Sequence, residues 1–250
     1  MTSPVVLVGD DGSTGAAAAR TWADAYAAVV DGEVVTTRAV AETTLPATEH
    51  LLACANDVGA RLIVVGRRGA GGFAALELGS TALQVAEHSP LPVAIVPQAL
   101  AGRHARFDRL ILGLDGSEAS GAAADFVAEL ASAQGAQVWA VHATDMGLSL
   151  AAAGIDDAMY ASAFGRLHAR LANDWASPLR SAGVDHEVVI EEGGPAGVLL
   201  DVAHRHAADL VALGRSTTRF WLGSVARRVA AVAPSPTIVV PAMDDAGATR

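Results

Sequence analysis

Val5-Val6-Leu7-Val8-Gly9-Asp10-Asp11-Gly12-Ser13 opens the chain and returns as Leu110-Ile111-Leu112-Gly113-Leu114-Asp115-Gly116-Ser117. The two Asp-Gly-Ser triplets lie 104 positions apart. Further matches follow in the same order. Ala60–Gly66 pairs with Ala208–Gly214 at a spacing of 148, and Gly79-Ser80 and Pro92–Pro97 pair with Gly223-Ser224 and Pro236–Pro241 at 144. A segment repeated with one drifting offset is the mark of a duplicated structural unit. The second copy gains 44 residues between its opening strand and its Gly-ending strand, about one helix plus one strand, and then loses 4 before Gly223. The chain therefore reads as residues 1–100 and 107–243, with a break near Ala99–Phe107 where the apolar pattern lapses.

The repeated runs are short, aliphatic and without in/out alternation, as expected of strands buried on both faces of a parallel sheet. Helical patterns alternate with them, which argues for an α/β architecture. Ser13 and Ser117 each follow a strand and precede such a pattern, and are expected N-caps. The second half holds five expected strands, at 109–114, 137–142, 186–191, 209–214 and 237–241. The first half holds four, with only Glu33–Val40 in the space of two. Both halves are foldable with right-handed crossovers.

The 250 residues are 52% hydrophobic and only 4% aromatic, so the core is aliphatic. The 17 basic residues are all arginine. Without lysine, mechanisms that rest on a Walker-A, Schiff-base or kinase-type lysine are excluded. Any phosphate must be held by backbone N–H groups, hydroxyls and arginine. A net charge of −10 argues against nucleic-acid and anionic-membrane partners. Cys54 is the only cysteine, which suits a reducing compartment. Residues 1–10 have no basic leader, and no apolar stretch reaches the ~20 residues of a membrane span. A soluble cytoplasmic protein is expected.

The candidate chemistry is anion binding at a loop-to-helix step. Gly66-Arg67-Arg68-Gly69 begins at the carboxyl end of a strand, and the stretch closes on Gly79-Ser80-Thr81, where a helix must start. Glycines let a ligand approach the backbone, and a helix N-terminus with free N–H groups and hydroxyls suits phosphate. Ligands of open parallel sheets bind outside the carboxyl ends of the strands, so Asp11 is expected to face the same crevice.

Gly66-x2-Gly69-x9-Gly79-Ser80, the opening strand ending in Asp11-Gly12-Ser13, and the closing strand Pro92–Pro97 resemble the nucleotide-binding pattern of the universal stress protein family. The resemblance covers nearly the whole chain as a tandem pair. It implies two doubly wound parallel-sheet domains of the adenine-nucleotide α-hydrolase-like class, the first shortened by one βα unit. It implies ATP as ligand in the first half, with Asp11 by the adenosine, Gly66 near the ribose, and Gly12 among the nucleotide-binding residues. Arg68, Gly69, Gly79, Ser80 and Thr81 would surround the phosphates. The adenine would be read by backbone at the end of the second strand, with Val40 the nearest candidate and Thr37 or Ala39 the alternatives. Asp10-Asp11 is a candidate for Mg2+ held together with the phosphates. The resemblance further implies a stress-response or signalling module rather than a dedicated catalyst, with slow ATP hydrolysis compatible. It also implies pairing of the domains through their last strands, Ala94–Val96 and Ile238–Val240, and a possible homodimer.

The second half departs from the pattern. Thr217 stands where the second loop glycine belongs, the loop is shorter, and Phe220 and Trp221 are bulky. The expectation is that the first half binds and the second supports. Two other classes compete: an enzyme of the adenine-nucleotide α-hydrolase-like group, and a ligand-free scaffold. The chain has neither a His-x-Gly-His signature nor a Ser-Gly-Gly-x-Asp-Ser loop. His50 and Cys54, at i and i+4, lack the further ligands a zinc site needs.

Overall fold

A computed structural model describes residues 3–38, 46–70, 77–145, 157–215 and 222–242. The first half contributes β1 (Val5–Gly9), α1 (Thr14–Val29), β2 (Glu33–Thr37), α2 (Ala47–Asp57), β3 (Ala60–Gly66), α3 (Ser80–His88) and β4 (Val93–Val96). The second contributes β5 (Arg109–Gly113), α4 (Glu118–Gln134), β6 (Gln137–Thr144), α5 (Asp157–Arg170), a π-helical turn at Leu171–Trp175 and α6 (Ser177–Ser181). It continues through β7 (His186–Glu192), α7 (Pro195–Arg205), β8 (Leu210–Arg215), α8 (Ser224–Val232) and β9 (Thr237–Pro241). The expected long helix over 157–182 is thus broken by the π turn.

All nine strands form one sheet in the order β2-β1-β3-β4-β9-β8-β5-β6-β7. Neighbours within each half are parallel. The halves join where β4 meets β9 antiparallel, with Ala94 opposite Ile238. The two last strands therefore pair inside the chain. Each also pairs on its other side, so neither is left for a second copy by that route. The second half's surplus is β7 at the sheet edge with its preceding helices. Deleting an edge unit leaves the remaining strand order intact, which is why the first half holds a sheet with only four strands.

The aliphatic runs are strands because both faces are covered: β4 and β9 are buried along their whole length. One face is covered by α1, α4 and α6, the other by α2, α3, α7 and α8. Ser13 accepts the N–H of Ala16 at 3.1 Å and Ser117 that of Ser120 at 3.2 Å, the expected N-caps. Each cap follows an Asp-Gly turn, at Gly12 (φ +77°) and Gly116 (φ +78°), a conformation natural to glycine.

Two arginines bind the halves reciprocally. Arg67, just after β3, donates to the carbonyl of Ala233 at the end of α8. Arg215, at the end of β8, donates to the carbonyls of Glu87 and Ser89 at the end of α3, at 2.5 and 2.7 Å. A cation at a helix C-terminus also meets the negative end of the helix dipole. Burial, with the charge of Arg68, pulls the Arg67 guanidinium down to about 10, so it stays charged at neutral pH. Arg215→Met leaves one buried and one half-buried carbonyl without their charged donor. It is expected to cost about 1.5–3 kcal/mol in urea unfolding, with an unchanged m-value.

Candidate nucleotide site

The carboxyl ends of β1, β2 and β3 and the N-terminus of α3 enclose a cavity of about 380 Å3. Of the residues expected at the site, Asp11, Gly66, Arg68, Gly69, Gly79, Ser80 and Thr81 all line it. Gly12 lies outside the lining; its N–H donates to Asp10 Oδ1 at 2.8 Å, which closes the turn. Val40 and Ala39 fall outside the described residues. Thr37, the other alternative for that position, lines the cavity at the end of β2.

Asp11 organises the loop. Its Oδ1 accepts the N–H of Ser13 at 3.0 Å and its Oδ2 that of Ala70 at 2.7 Å. The carboxylate thus ties the first turn to the glycine loop. A Cβ on Gly69 would sit 2.3 Å from Asp11 Oδ2, so any other residue there displaces the Asp11 carboxylate or the loop. The Gly79 N–H donates to the Arg67 carbonyl at 2.8 Å and closes the loop at its far end. Helix α3 then starts with no side-chain cap. Its first N–H groups are the unpaired donors that an anion satisfies.

Two close approaches set the depth of the crevice. A Cβ on Gly66 would lie 2.5 Å from the Gly15 carbonyl carbon, and one on Gly15 would lie 2.2 Å from the Arg68 carbonyl oxygen. Gly15, which packs under the loop without lining the cavity, is a residue that the loop spacing did not reveal. Its signal is a glycine in the first turn of a helix, which costs stability unless close packing requires it. The lining also includes Thr37, Ala47, Leu51 and Val65, a partly apolar pocket under the polar loop.

Asp10 is fully engaged as well: Oδ1 accepts from Gly12 and Oδ2 faces Arg38 at 3.2 Å. All four carboxylate oxygens of Asp10 and Asp11 therefore have partners. Among the described residues no group of three or more His, Cys, Asp or Glu is placed to hold a metal ion. His50 and Cys54 do meet, with Nε2 and Sγ 3.6 Å apart, and both contact the Thr37 hydroxyl.

Burial pushes the Asp11 carboxyl up, but the hydrogen bonds from Ser13 and Ala70 outweigh it and the group titrates below the ordinary aspartate value. Asp115 behaves alike: burial raises it, and bonds from Ser117 and Ser120 more than offset that. A depressed carboxyl contributes stability above its unfolded value and loses it as pH falls through the folded value. The stability gap between the wild type and Asp11→Asn is therefore expected to stay constant above about pH 5 and to shrink below about pH 4. Urea titrations across that range measure it.

The second half places different side chains at the matching positions. Leu213 stands where Val65 does, and its Cδ2 fills the space beside Gly113, 2.4 Å from where a Cβ would be. The Trp175 indole, brought in by the π turn, lies on Gly116, again 2.4 Å from a Cβ there. It also packs on His142, 5.2 Å between centroids. Ala119 carries the methyl group that Gly15 lacks.

The fold and the loop define a class: tandem doubly wound α/β units with a glycine loop leading into a helix. The universal stress protein family matches residues 43–97 and 106–241, more than half of the chain, and the protein belongs to that family. A universal stress protein of Mycobacterium tuberculosis is 32% identical over 187 residues, which cover 71% of this chain and 58% of that protein. One from Mycolicibacterium smegmatis is 32% identical over 186 residues, 72% of this chain and 62% of that protein. The chain thus spans less than two thirds of the length of these curated relatives. The crystal structure of a universal stress protein from Archaeoglobus fulgidus superposes over 98% of both chains with a TM-score of 0.69, at 16% identity, a likeness of fold. No helix among the described residues is long and apolar enough to cross a membrane.

Proposed function

We propose that the first half binds an adenine nucleotide, ATP above all, and that the protein acts as a ligand-dependent stress-response or signalling module in the cytoplasm rather than as a dedicated enzyme. One observation carries the reading. The cavity joins a partly apolar pocket at Thr37, Leu51 and Val65 to the glycine loop and the uncapped N-terminus of α3. A base and ribose suit the first part, and a phosphate chain suits the second. Gly66, Gly69 and Gly79 offer backbone, Ser80 and Thr81 hydroxyls, and Arg68 a guanidinium. Asp11 holds the loop in register. Mg2+ enters with the phosphates, beside Asp10 and Asp11.

The second half serves as a scaffold in this reading. Leu213 in place of Val65, and Trp175 lying on Gly116, set its crevice apart from that of the first half.

Mass spectrometry of the natively purified protein, with calorimetric titration of ATP, tests the proposal. Co-purified or titrated ATP at a stoichiometry near one supports it. Turnover to AMP and pyrophosphate would favour the hydrolase-like class. A protein that neither retains nor binds nucleotide would make it a scaffold.

A further inference from the structure

We propose that the protein carries a second ligand site, independent of the nucleotide cavity, for a small organic anion with an apolar body. A cavity of about 320 Å3 lies on the α1 face of the sheet, where the linker between the halves crosses the starts of β8 and β9. That volume is within the range of small-molecule pockets. Trp22, Leu100 and Pro236 give it apolar walls, and Arg103 and Arg106 give it a cationic side.

Three observations set the charge of the occupant. Arg103 and Arg106 are exposed on the linker, and neither guanidinium has an ion-pair or hydrogen-bond partner among the described residues. Two unpaired cations three residues apart, in a chain of net charge −10, make a local site of opposite sign to the whole molecule. Second, the polar atoms of the deeper lining do not compete for the occupant: Trp22 Nε1 and Ser235 Oγ are closed off from the cavity, which leaves Arg103 and Arg106 as its charged donors. Third, the acidic member of the lining, Asp209, is already held by the N–H groups of Asp108 and Arg109, at 3.1 and 3.0 Å, and by the Arg109 guanidinium at 3.6 Å. It does not compete for the two free arginines.

The apolar walls set the rest of the ligand. A bare inorganic anion would leave the faces of Trp22, Leu100 and Pro236 without contact. An anion on a ring-sized body fills both parts, its acidic group toward Arg103 and Arg106 and its body against Trp22. The linker between the halves forms one wall, so occupancy would also hold the two halves at their junction.

Naphthalene-1-sulfonate and phenyl phosphate are the probes, with inorganic phosphate as the comparison. The chain has four tryptophans, and Trp22→Phe assigns the Trp22 indole cross-peak in a 1H–15N spectrum. The expected result is a saturable shift of that peak with both aromatic anions. The dissociation constant should rise about tenfold in Arg103→Ala/Arg106→Ala, two exposed positions where the fold is retained. Gly69→Ala, which disturbs the nucleotide loop, should leave it unchanged, so failure here is separable from failure of the nucleotide reading. No saturable shift up to about 10 mM, equal binding in the double arginine variant, loss of binding in Gly69→Ala, or equally tight binding of inorganic phosphate would each overturn the proposal.

Discussion

Gly69→Ala is expected to weaken ATP binding by about ten- to a hundredfold, while Gly223→Ala leaves it within about twofold. The two glycines look alike as loop residues, but their surroundings differ. A Cβ at position 69 would lie 2.3 Å from Asp11 Oδ2, a distance no real contact reaches. The oxygen cannot simply step aside, because the Ala70 N–H holds it at 2.7 Å and the same carboxylate holds Ser13. Either the Asp11 clasp opens or the loop backs away from α3. Both spread the donors at Ser80 and Thr81 that a phosphate must meet together. Overpacking of this kind costs about 1–3 kcal/mol, and each 1.4 kcal/mol is about tenfold in affinity. A Cβ at Gly223 meets nothing among the described residues within 4 Å. Calorimetric titration of ATP, with thermal melts to show both variants folded, measures the contrast. Binding lost at Gly223 and kept at Gly69 would move the site to the second half and overturn the reading.

Why Gly69 and Gly79 were legible in sequence, and Gly15 was not, follows from how each is constrained. The loop glycines were legible because the spacing Gly66-x2-Gly69-x9-Gly79 resembles the family's nucleotide-binding pattern. The strands were legible on their own: β1, β3 and β4 are aliphatic runs buried on both faces, so each shows in its own few residues. Gly15 is glycine because a loop fifty residues later brings the Arg68 carbonyl against it. That constraint has no local signature. Trp175 is a similar case, since only the π turn brings it onto Gly116, far away in sequence. The degenerate loop of the second half drew attention to Phe220 and Trp221. The described structure adds Leu213, a one-methylene enlargement of Val65 that no motif records.

The junction shows the same division. Pairing of the last strands was legible through the family resemblance, and β4 and β9 do pair. The reciprocal arginines were not, although Gly66-Arg67 and Gly214-Arg215 stand at matching places in the repeat. An arginine after a strand reads as a solvated charge until the neighbouring helix end is known. Here each carbonyl terminus belongs to the other half, so the information lies in the pseudo-twofold packing and not in either copy.

Phe107→Ala is expected to destabilise the protein by about 3–5 kcal/mol, the largest stability loss of any change considered. In the sequence this residue closes the Ala99–Phe107 stretch where the apolar pattern lapses and opens the second half at 107–243. In the structure it is 2% exposed and among the largest fully buried side chains. Its ring meets Trp22 edge-on at 5.4 Å and Tyr26 at 6.1 Å, and Tyr26 stacks in turn on Phe126 of α4 at 6.1 Å. The cluster therefore joins α1 of the first half to α4 of the second through the linker that connects them. Aromatic residues are scarce in this chain, at 4%, and four of them gather here. Truncation removes the ring's burial and leaves a cavity among rigid rings that cannot collapse into it. At about 2–4 °C per kcal/mol for a chain of this size, the midpoint should fall by roughly 10 °C. Phe107→Leu, which keeps most of the volume, should lose no more than about half as much. Val58→Ala, at an exposed position, should stay within about 0.5 kcal/mol. Urea unfolding of the three variants tests the order. A loss under about 1 kcal/mol for Phe107→Ala would mean that the linker is packed otherwise and that the β4–β9 pairing and the arginine pair hold the halves together without it.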